Sequence, residues 1–293
     1  MAARNRFHVL IASDGSAAAR AALTTAVRFP WPEDTSASAV VAKQVRADYR
    51  KSILLAALDR TAEFTGRTTA RAMSKRWPAA DARIVDASPV DAIVDEATRA
   101  RADVVVMGWR GHGAVRRLLS GSVSRGVVRR APCAVLVARR AVRQVRHVVL
   151  GFDGSPHARQ AIALLAALDV PRGARATIFR AVDTMQVPAQ ALAPAHVRNA
   201  VAAEVARINK ERFARSRAEL ERATDTLAAA GWKVKSVVTD GAPLRDLLRV
   251  VSTTRADLLI VGARGVSGVK HLLLGSVAEG ALNRSPVPVL IVR

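Results

Sequence analysis

Val9-Leu10-Ile11-Ala12-Ser13-Asp14-Gly15-Ser16 is an apolar run closed by an acid, a glycine and a serine, and it returns 139 residues later as Val148-Val149-Leu150-Gly151-Phe152-Asp153-Gly154-Ser155. A second block recurs at a different offset. Arg101-Ala102-Asp103, followed by Gly108, Gly111, Gly121, Ser122 and Pro132, returns 154 residues later as Arg255-Ala256-Asp257, Gly262, Gly265, Gly275, Ser276 and Pro286. The second copy therefore carries 15 extra residues between its first and last thirds. A repeat of domain length excludes a solenoid, whose units are several times shorter. The 293 residues divide into two domains of ordinary size, expected at 1–141 and 142–293 and joined near residues 139–146.

Within each copy, strand-sized apolar runs alternate with helical patterns, the signature of a parallel sheet covered by helices. In copy one, strands are expected at 7–13, 37–45, 82–86, 103–108 and 133–138, with helices at 16–28, 47–76, 89–101 and 122–130. Copy two has strands at 146–151, 175–182, 233–239, 257–262 and 287–292. Ser16 and Ser155 stand where N-caps belong. Ser88-Pro89-Val90-Asp91 reads as an N-cap, a first-turn proline and an acidic third residue, opening a helix that buries Val90, Ile93, Val94 and Ala97. The extra residues of copy two fall in a loop over 183–197, whereas copy one passes from Val45 almost directly into its long helix.

Composition narrows the function. Half the residues are apolar and 24% are charged, which is globular composition. No apolar run reaches the roughly 20 residues of a membrane helix. No secretory leader is read at the start, and the single cysteine, Cys133, suits a reducing compartment, so a cytoplasmic protein is expected. Cys133 itself reads as a small buried hydrophobe. The net charge of +22 is carried largely by arginine, since only seven of the 46 basic residues are lysine. It is spread over both copies, with 24 basic and 12 acidic residues up to Ala141. Neither a basic tail nor a basic domain results, so a solvated basic surface is favoured over a nucleic-acid interface.

In doubly wound sheets, ligands bind beyond the carboxyl ends of strands where the strand order reverses. Asp14 and Asp153 close the first strand of each copy. Gly108 and Gly262 close the fourth and open the pattern G-x2-G-x9-G-S, completed by Gly111, Gly121 and Ser122 in copy one and by Gly265, Gly275 and Ser276 in copy two. Glycines there let backbone N–H groups approach phosphate oxygens, and the serine opens a helix whose N-terminus favours an anion. No G-x4-G-K-S/T loop and no zinc-type ligand spacing occurs.

These residues, with the closing runs Pro132-Cys133-Ala134-Val135-Leu136-Val137 and Pro286-Val287-Pro288-Val289-Leu290-Ile291-Val292, resemble the universal stress protein family in its tandem, ATP-binding form. The resemblance implies two five-stranded parallel sheets of order 3-2-1-4-5, paired through their last strands, with ATP at each switch point. The implied cofactor-binding residues are Asp14, Gly108, Gly111, Gly121, Ser122 and Val123 in copy one. In copy two they are Asp153, Val182, Gly262, Arg264, Gly265, Gly275, Ser276 and Val277. Mg2+ is an optional companion of the nucleotide, and a homodimer and a regulatory protein partner are further expectations.

Each of these residues also has a plainer reading. Asp14 and Asp153 could serve as caps before the first helix, and single glycines as turn formers. Arg110 and Arg264 stand inside the glycine loops and could contact phosphate or water equally well. His112 has Val266 as its counterpart and no recurring Ser or Cys partner, so no general base is assigned to it. Trp31, Trp77, Trp109 and Trp232 share no period and form no stacking platform. Copy one has Ala87 where copy two has Gly241, and Ser120 where copy two has Leu274, so its cleft is expected to be shallower. The expected function is regulatory ATP binding with at most slow hydrolysis. The rivals are a nucleotide-free scaffold and a basic nucleic-acid-associated protein.

Overall fold

The computed structural model describes residues 6–44, 53–109, 121–186, 194–265 and 274–293. The first half runs β1 (His8–Ala12), α1 (Ala17–Arg28), β2 (Ser36–Ala42), α2 (Ile53–Met73), β3 (Ala82–Val85), α3 (Pro89–Arg99), β4 (Val104–Gly108), α4 (Ser122–Arg130) and β5 (Ala134–Ala138). The second half repeats it as β6 (His147–Gly151), α5 (Pro156–Ala166), β7 (Arg175–Ala181), α6 (Ala195–Ala229), β8 (Lys233–Thr239), α7 (Pro243–Thr253), β9 (Leu258–Gly262), α8 (Ser276–Arg284) and β10 (Val289–Val292).

Both halves have the 3-2-1-4-5 order, but they do not form two sheets. They share one ten-stranded sheet, β3-β2-β1-β4-β5-β10-β9-β6-β7-β8. Every neighbouring pair is parallel except β5 and β10, which run antiparallel with Val137 opposite Val289, Leu136 opposite Leu290 and Val135 opposite Ile291. Since 136 and 290 are equivalent positions of the repeat, each leucine faces its own counterpart and a pseudo-twofold axis passes between them. The physical reason for fusion is edge closure. A free β5 or β10 would present unpaired N–H and C=O groups along an apolar strand, and pairing the two removes both edges.

The inner strands are buried on both faces, which explains their largely Val, Leu, Ile and Ala runs, while the outer strands β3 and β8 are half-buried or exposed. One face packs Val9, Ile11, Leu136 and Leu290 against α1, α2, α5 and α6. The other packs Leu10, Val105, Leu259 and Ile291 against α3, α4, α7 and α8. A second contact crosses the seam. Arg139 Nη2 donates to the carbonyls of Leu282 and Asn283 at 2.6 and 2.8 Å, in the last turn of α8, and its repeat equivalent Arg293 donates to Val128 O at 2.5 Å, near the end of α4. Each half thus satisfies carbonyls that the other half's helix leaves without an intrahelical donor.

The caps form as expected. Ser16 and Ser155 Oγ accept from Ala19 and Ala158 N–H, both at 3.2 Å, and Ser88 Oγ accepts from Asp91 N–H at 3.3 Å. Several boundaries differ. The described part of α2 ends at Met73 rather than 76, and its expected first residues lie outside the described ones. The loop expected over 183–197 is shorter, because α6 already begins at Ala195. On α3 the buried residues are Ala92, Ile93, Glu96 and Ala97, while Val90 and Val94 are half-buried. Glu96 replaces them on the inward face because Arg99, at 2.5 Å, and Arg83 of β3, at 3.3 Å, neutralise it there. Cys133 is only partly buried, and desolvation still pushes its thiol up to about 11.

Two outcomes are expected from this packing. Leu136→Ala and Leu290→Ala should each destabilise the protein by about 2–5 kcal/mol, as cavities in a packed core do. Because the two leucines are opposite neighbours, the double variant in urea denaturation should depart from the sum of the singles by about 0.5 kcal/mol or more. The second concerns His8 and His147, equivalent residues at the start of β1 and β6. His8 lies between Ser36 and Ser38 Oγ at 2.8 and 2.9 Å, and His147 between Thr254 O and Thr177 Oγ1 at 3.1 and 2.9 Å. Desolvation holds both imidazoles below the ordinary 6.5. The unfolded chain therefore takes up protons first, so the stability contributed by neutral burial is complete above that value and drains away as pH falls below it. The melting temperature should drop between about pH 7.5 and about pH 5, and less so in a His8→Gln/His147→Gln variant.

Candidate functional site

The strand order reverses between β1 and β4, and again between β6 and β9. A cleft lies at each reversal, of about 310 Å³ in the first half and about 490 Å³ in the second. Because β5 and β10 are antiparallel, the strands of the two halves point in opposite directions, and the clefts open at opposite rims of the same sheet.

Cleft one is floored by Ala12 and Met107 at the strand ends and by Val40 and Ala42 of β2, with Asp14, Gly108, Gly121, Ser122 and Val123 along its walls. Asp14 Oδ1 accepts from Ser16 N–H at 3.0 Å, so one carboxylate oxygen already serves the turn into α1. The structure gives Gly108 a packing duty that its glycine pattern did not announce. A Cβ there would overlap the backbone C and O of Ala18, because the first turn of α1 is drawn hard against the end of β4. Gly121 takes the left-handed conformation (φ +79°, ψ 14°) as N-cap of α4, with the Trp109 ring where a side chain would be. Arg139 stacks over that ring, 4.6 Å from its centroid. Trp109 is therefore a buried spacer between the seam and the start of α4. Gly111, Arg110, His112 and Ser120 lie outside the described residues.

Cleft two carries Asp153, Val182, Gly262, Arg264, Gly265, Gly275, Ser276 and Val277 on its walls. Asp153 Oδ1 accepts from Ser155 N–H at 2.9 Å, while its Oδ2 lies 2.6 Å from where a Cβ on Gly265 would fall, so the acid and the glycine loop are in direct apposition. Ser155 Oγ also donates to Arg264 O at 3.1 Å, tying that loop to the start of α5. Gly275 is extended (φ −65°, ψ 151°), and its N–H donates to Ala263 O at 2.9 Å. The loop and the helix start are thus held together. The N-terminal N–H groups of α8 have no intrahelical acceptors, and this end of the helix favours negative charge.

Asp183, Thr184 and Gln186, in the loop expected over the end of the second strand, line cleft two, while the pattern missed Phe152, Phe179 and Asp240 in cleft two and Ser13, Ile93 and Ser124 in cleft one. A usable signal existed. The 139-residue offset aligns Phe179 with Val40 at the carboxyl end of the second strand, where the switch-point rule places ligands. Gly241, by contrast, has a local cause. A Cβ there would collide with Asp246 Oδ2, and copy one, with Ala92 in place of Asp246, has no need of the glycine and carries Ala87. Among the described residues, no group of three or more His, Cys, Asp or Glu could hold a metal ion, and no helix is long and apolar enough to cross a membrane.

Two doubly wound α/β units fused through their last strands, each with a cleft at its switch point, define the class of protein. The universal stress protein family model matches residues 5–139 and again 144–293, and the chain belongs to that family. A universal stress protein of Mycobacterium tuberculosis is 32% identical over 225 residues, which cover 72% of this chain and 68% of that one. One from Thermus aquaticus is 36% identical over 147 residues, covering 50% of this chain and 97% of that one. The crystal structure of a universal stress protein from Archaeoglobus fulgidus matches in fold with a TM-score of 0.68 and 19% identity, over 99% of both chains.

The two strand-closing glycines should differ in tolerance. At Gly262 an added Cβ meets His157 Cβ at 3.0 Å and Ala158 N at 3.1 Å, a fit that small shifts can relieve, whereas at Gly108 it collides with backbone. Gly108→Ala should therefore cost stability on the scale of overpacking, about 1–3 kcal/mol, and Gly262→Ala clearly less, as read by thermal or urea unfolding of the two variants.

Proposed function

We propose that the protein is a regulatory binder of adenine nucleotide, ATP in the first place, with one site in each of two domains, 1–141 and 142–293, and with occupancy biasing its conformation or its protein partners. ATP is a ligand of many members of the family. The observation that carries the reading is in cleft two. The Asp153 carboxylate, the Gly265 loop and the start of α8 at Gly275 and Ser276 border one space of about 490 Å³, long enough to take a base at one end and phosphates at the other. The base would lie over Phe179, Ala181 and Val182, beyond the ends of β7 and β8. The triphosphate would take the N–H groups of 276–278 and the Arg264 loop. Asp153, whose Oδ2 faces the Gly265 loop, would offer that oxygen to a ribose or base donor, and Asp14 is its counterpart in cleft one.

Turnover has little to work with. Phosphoryl transfer needs an oriented water or nucleophile and usually a metal held by carboxylates, and the described residues offer no such cluster. Mg2+ would accordingly be held mainly by the phosphates themselves. Cleft two, the larger and with an aromatic residue, Phe179, where cleft one has Val40, should be the tighter site. Burying even about 60 Å² more apolar surface is worth about 1.5 kcal/mol, or roughly tenfold in affinity.

Calorimetry with ATP is expected to show micromolar binding, about −8 kcal/mol, in two phases of unequal affinity. Gly275→Val is the decisive variant. Its backbone is in a region any residue adopts, and an added Cβ meets nothing nearer than 3.4 Å, so the free protein should lose no more than about 0.5 kcal/mol. The phosphates need that space, and the tighter phase should vanish. Absence of ATP binding in the wild-type protein, or an unchanged tighter phase in Gly275→Val, would overturn the assignment.

A further inference from the structure

Cleft two has one wall that belongs to neither the sheet nor the glycine loops. Asp183, Thr184 and Gln186 line it, in a stretch of chain that leaves β7 without secondary structure of its own. Such a segment supplies a defined surface only if something fixes its backbone. Two side chains of α6 do so. Asn209 Oδ1 accepts from Met185 N–H at 2.9 Å, and Asn209 Nδ2 donates to Met185 O at 3.0 Å, so one amide pairs with both backbone groups of one residue as a neighbouring strand would. One turn further on, Arg212 Nη1 donates to Asp183 O at 2.7 Å, with its guanidinium 3.9 Å from the Asp183 carboxylate. Three backbone groups on the stretch that borders the cleft are thereby held by residues three apart on one helical face.

Copy one is built differently. The 154-residue correspondence, which also pairs Met73 with Leu227 and Thr65 with Glu219, puts Leu55 and Leu58 where copy two has Asn209 and Arg212. Neither leucine can bond a backbone. At the position of Val182, copy one has Lys43, whose ammonium is bonded to Asp59 of α2 at 2.5 Å. Among the described residues the strap therefore belongs to copy two, which also carries the 15 additional residues.

The geometry points to Asn209, assisted by Arg212, as the positioning residue that makes the 183–186 segment a fixed wall of cleft two on the side of the base, giving that cleft a preference for base-bearing nucleotide that cleft one lacks. This rests on the nucleotide reading above. The wall stands at the carboxyl end of β7, beyond Phe179 and Ala181, at the opposite end of the cleft from the α8 N-terminus. It should therefore act on the base and leave the phosphates untouched. A backbone already held in place also loses no further freedom when ligand arrives, which is how a preorganised wall raises affinity.

The test compares ATP with inorganic triphosphate, which has the phosphates and no base. In Asn209→Leu, which installs the copy-one residue on a largely solvent-facing stretch of α6, calorimetry should show the tighter ATP phase weakened about tenfold. The weaker phase and the affinity for inorganic triphosphate should stay at their wild-type values. Arg212→Leu should act in the same direction with a smaller effect. Asn209→Asp keeps the acceptor for Met185 N–H but sets a carboxylate against Met185 O, and should resemble Asn209→Leu. If both Asn209 variants keep wild-type ATP affinity in both phases, the strap has no role in binding, while the nucleotide assignment stands. Equal losses for ATP and inorganic triphosphate would mean a general structural defect and would also overturn the proposal. A wild-type protein that binds neither probe removes the nucleotide reading and the strap with it.

Discussion

The antiparallel pairing of β5 with β10 is the contact on which the rest of the molecule depends. It converts two sheets, each with an apolar last strand, into one sheet whose central strands are fully buried. Leu136 and Leu290 meet there with no exposure, and the reversal of strand direction at that point sends the two clefts to opposite rims. The exchange of Arg139 and Arg293 across the same seam links the helices that begin at the clefts to the partner half, because α4 and α8 each start at a cleft and end near the other half's arginine. In the first half the link continues through the Trp109 ring to Gly121. The clefts are thus mechanically continuous with the centre of the molecule.

The clefts share a plan and differ in finish. Both use a strand-terminal aspartate whose one oxygen secures a turn, both bring the first helix close to the fourth strand, and both end on a helix N-terminus. The differences gather at the carboxyl ends of β2 and β7. Phe179 replaces Val40, Val182 replaces Lys43, and a segment secured by α6 borders the cleft where copy one has an ion pair between Lys43 and Asp59. At the starts of α4 and α8 the difference is conformational: Gly121 is left-handed beneath a tryptophan, and Gly275 is extended and bonded to Ala263.

Much of this was legible in the residues. The strand order was implied by the family resemblance, the caps and the placing of spaced glycines at the strand ends follow from a repeat whose two copies vouch for each other, and β8 and α4 begin and end where the pattern places them. The merging of two sheets into one was implicit in the apolar runs of β5 and β10, but their direction of pairing depends on a register that a single chain's pattern does not state. Glu96 on a buried face was illegible because its reason, Arg83, sits on another strand. The residues of the cleft floor escaped for a related cause: Phe179 and Val40 look like ordinary core until the switch point places them under an opening. Gly108 and Gly241 show the converse, glycines in ligand-like positions that their neighbours, the Ala18 backbone in one case and the Asp246 carboxylate in the other, already crowd.

The pseudo-twofold axis at Leu136 and Leu290 has an evolutionary meaning. In an assembly of two identical chains, a change at one binding cleft is copied at once into the other, and a substitution on the axis is felt twice. Covalent fusion removes that bookkeeping. Each half can drift on its own, provided that the seam stays complementary, so selection can specialise one cleft while the other keeps the ancestral form. A duplicated and fused chain is in this sense a heterodimer that can never be assembled from the wrong pair of subunits.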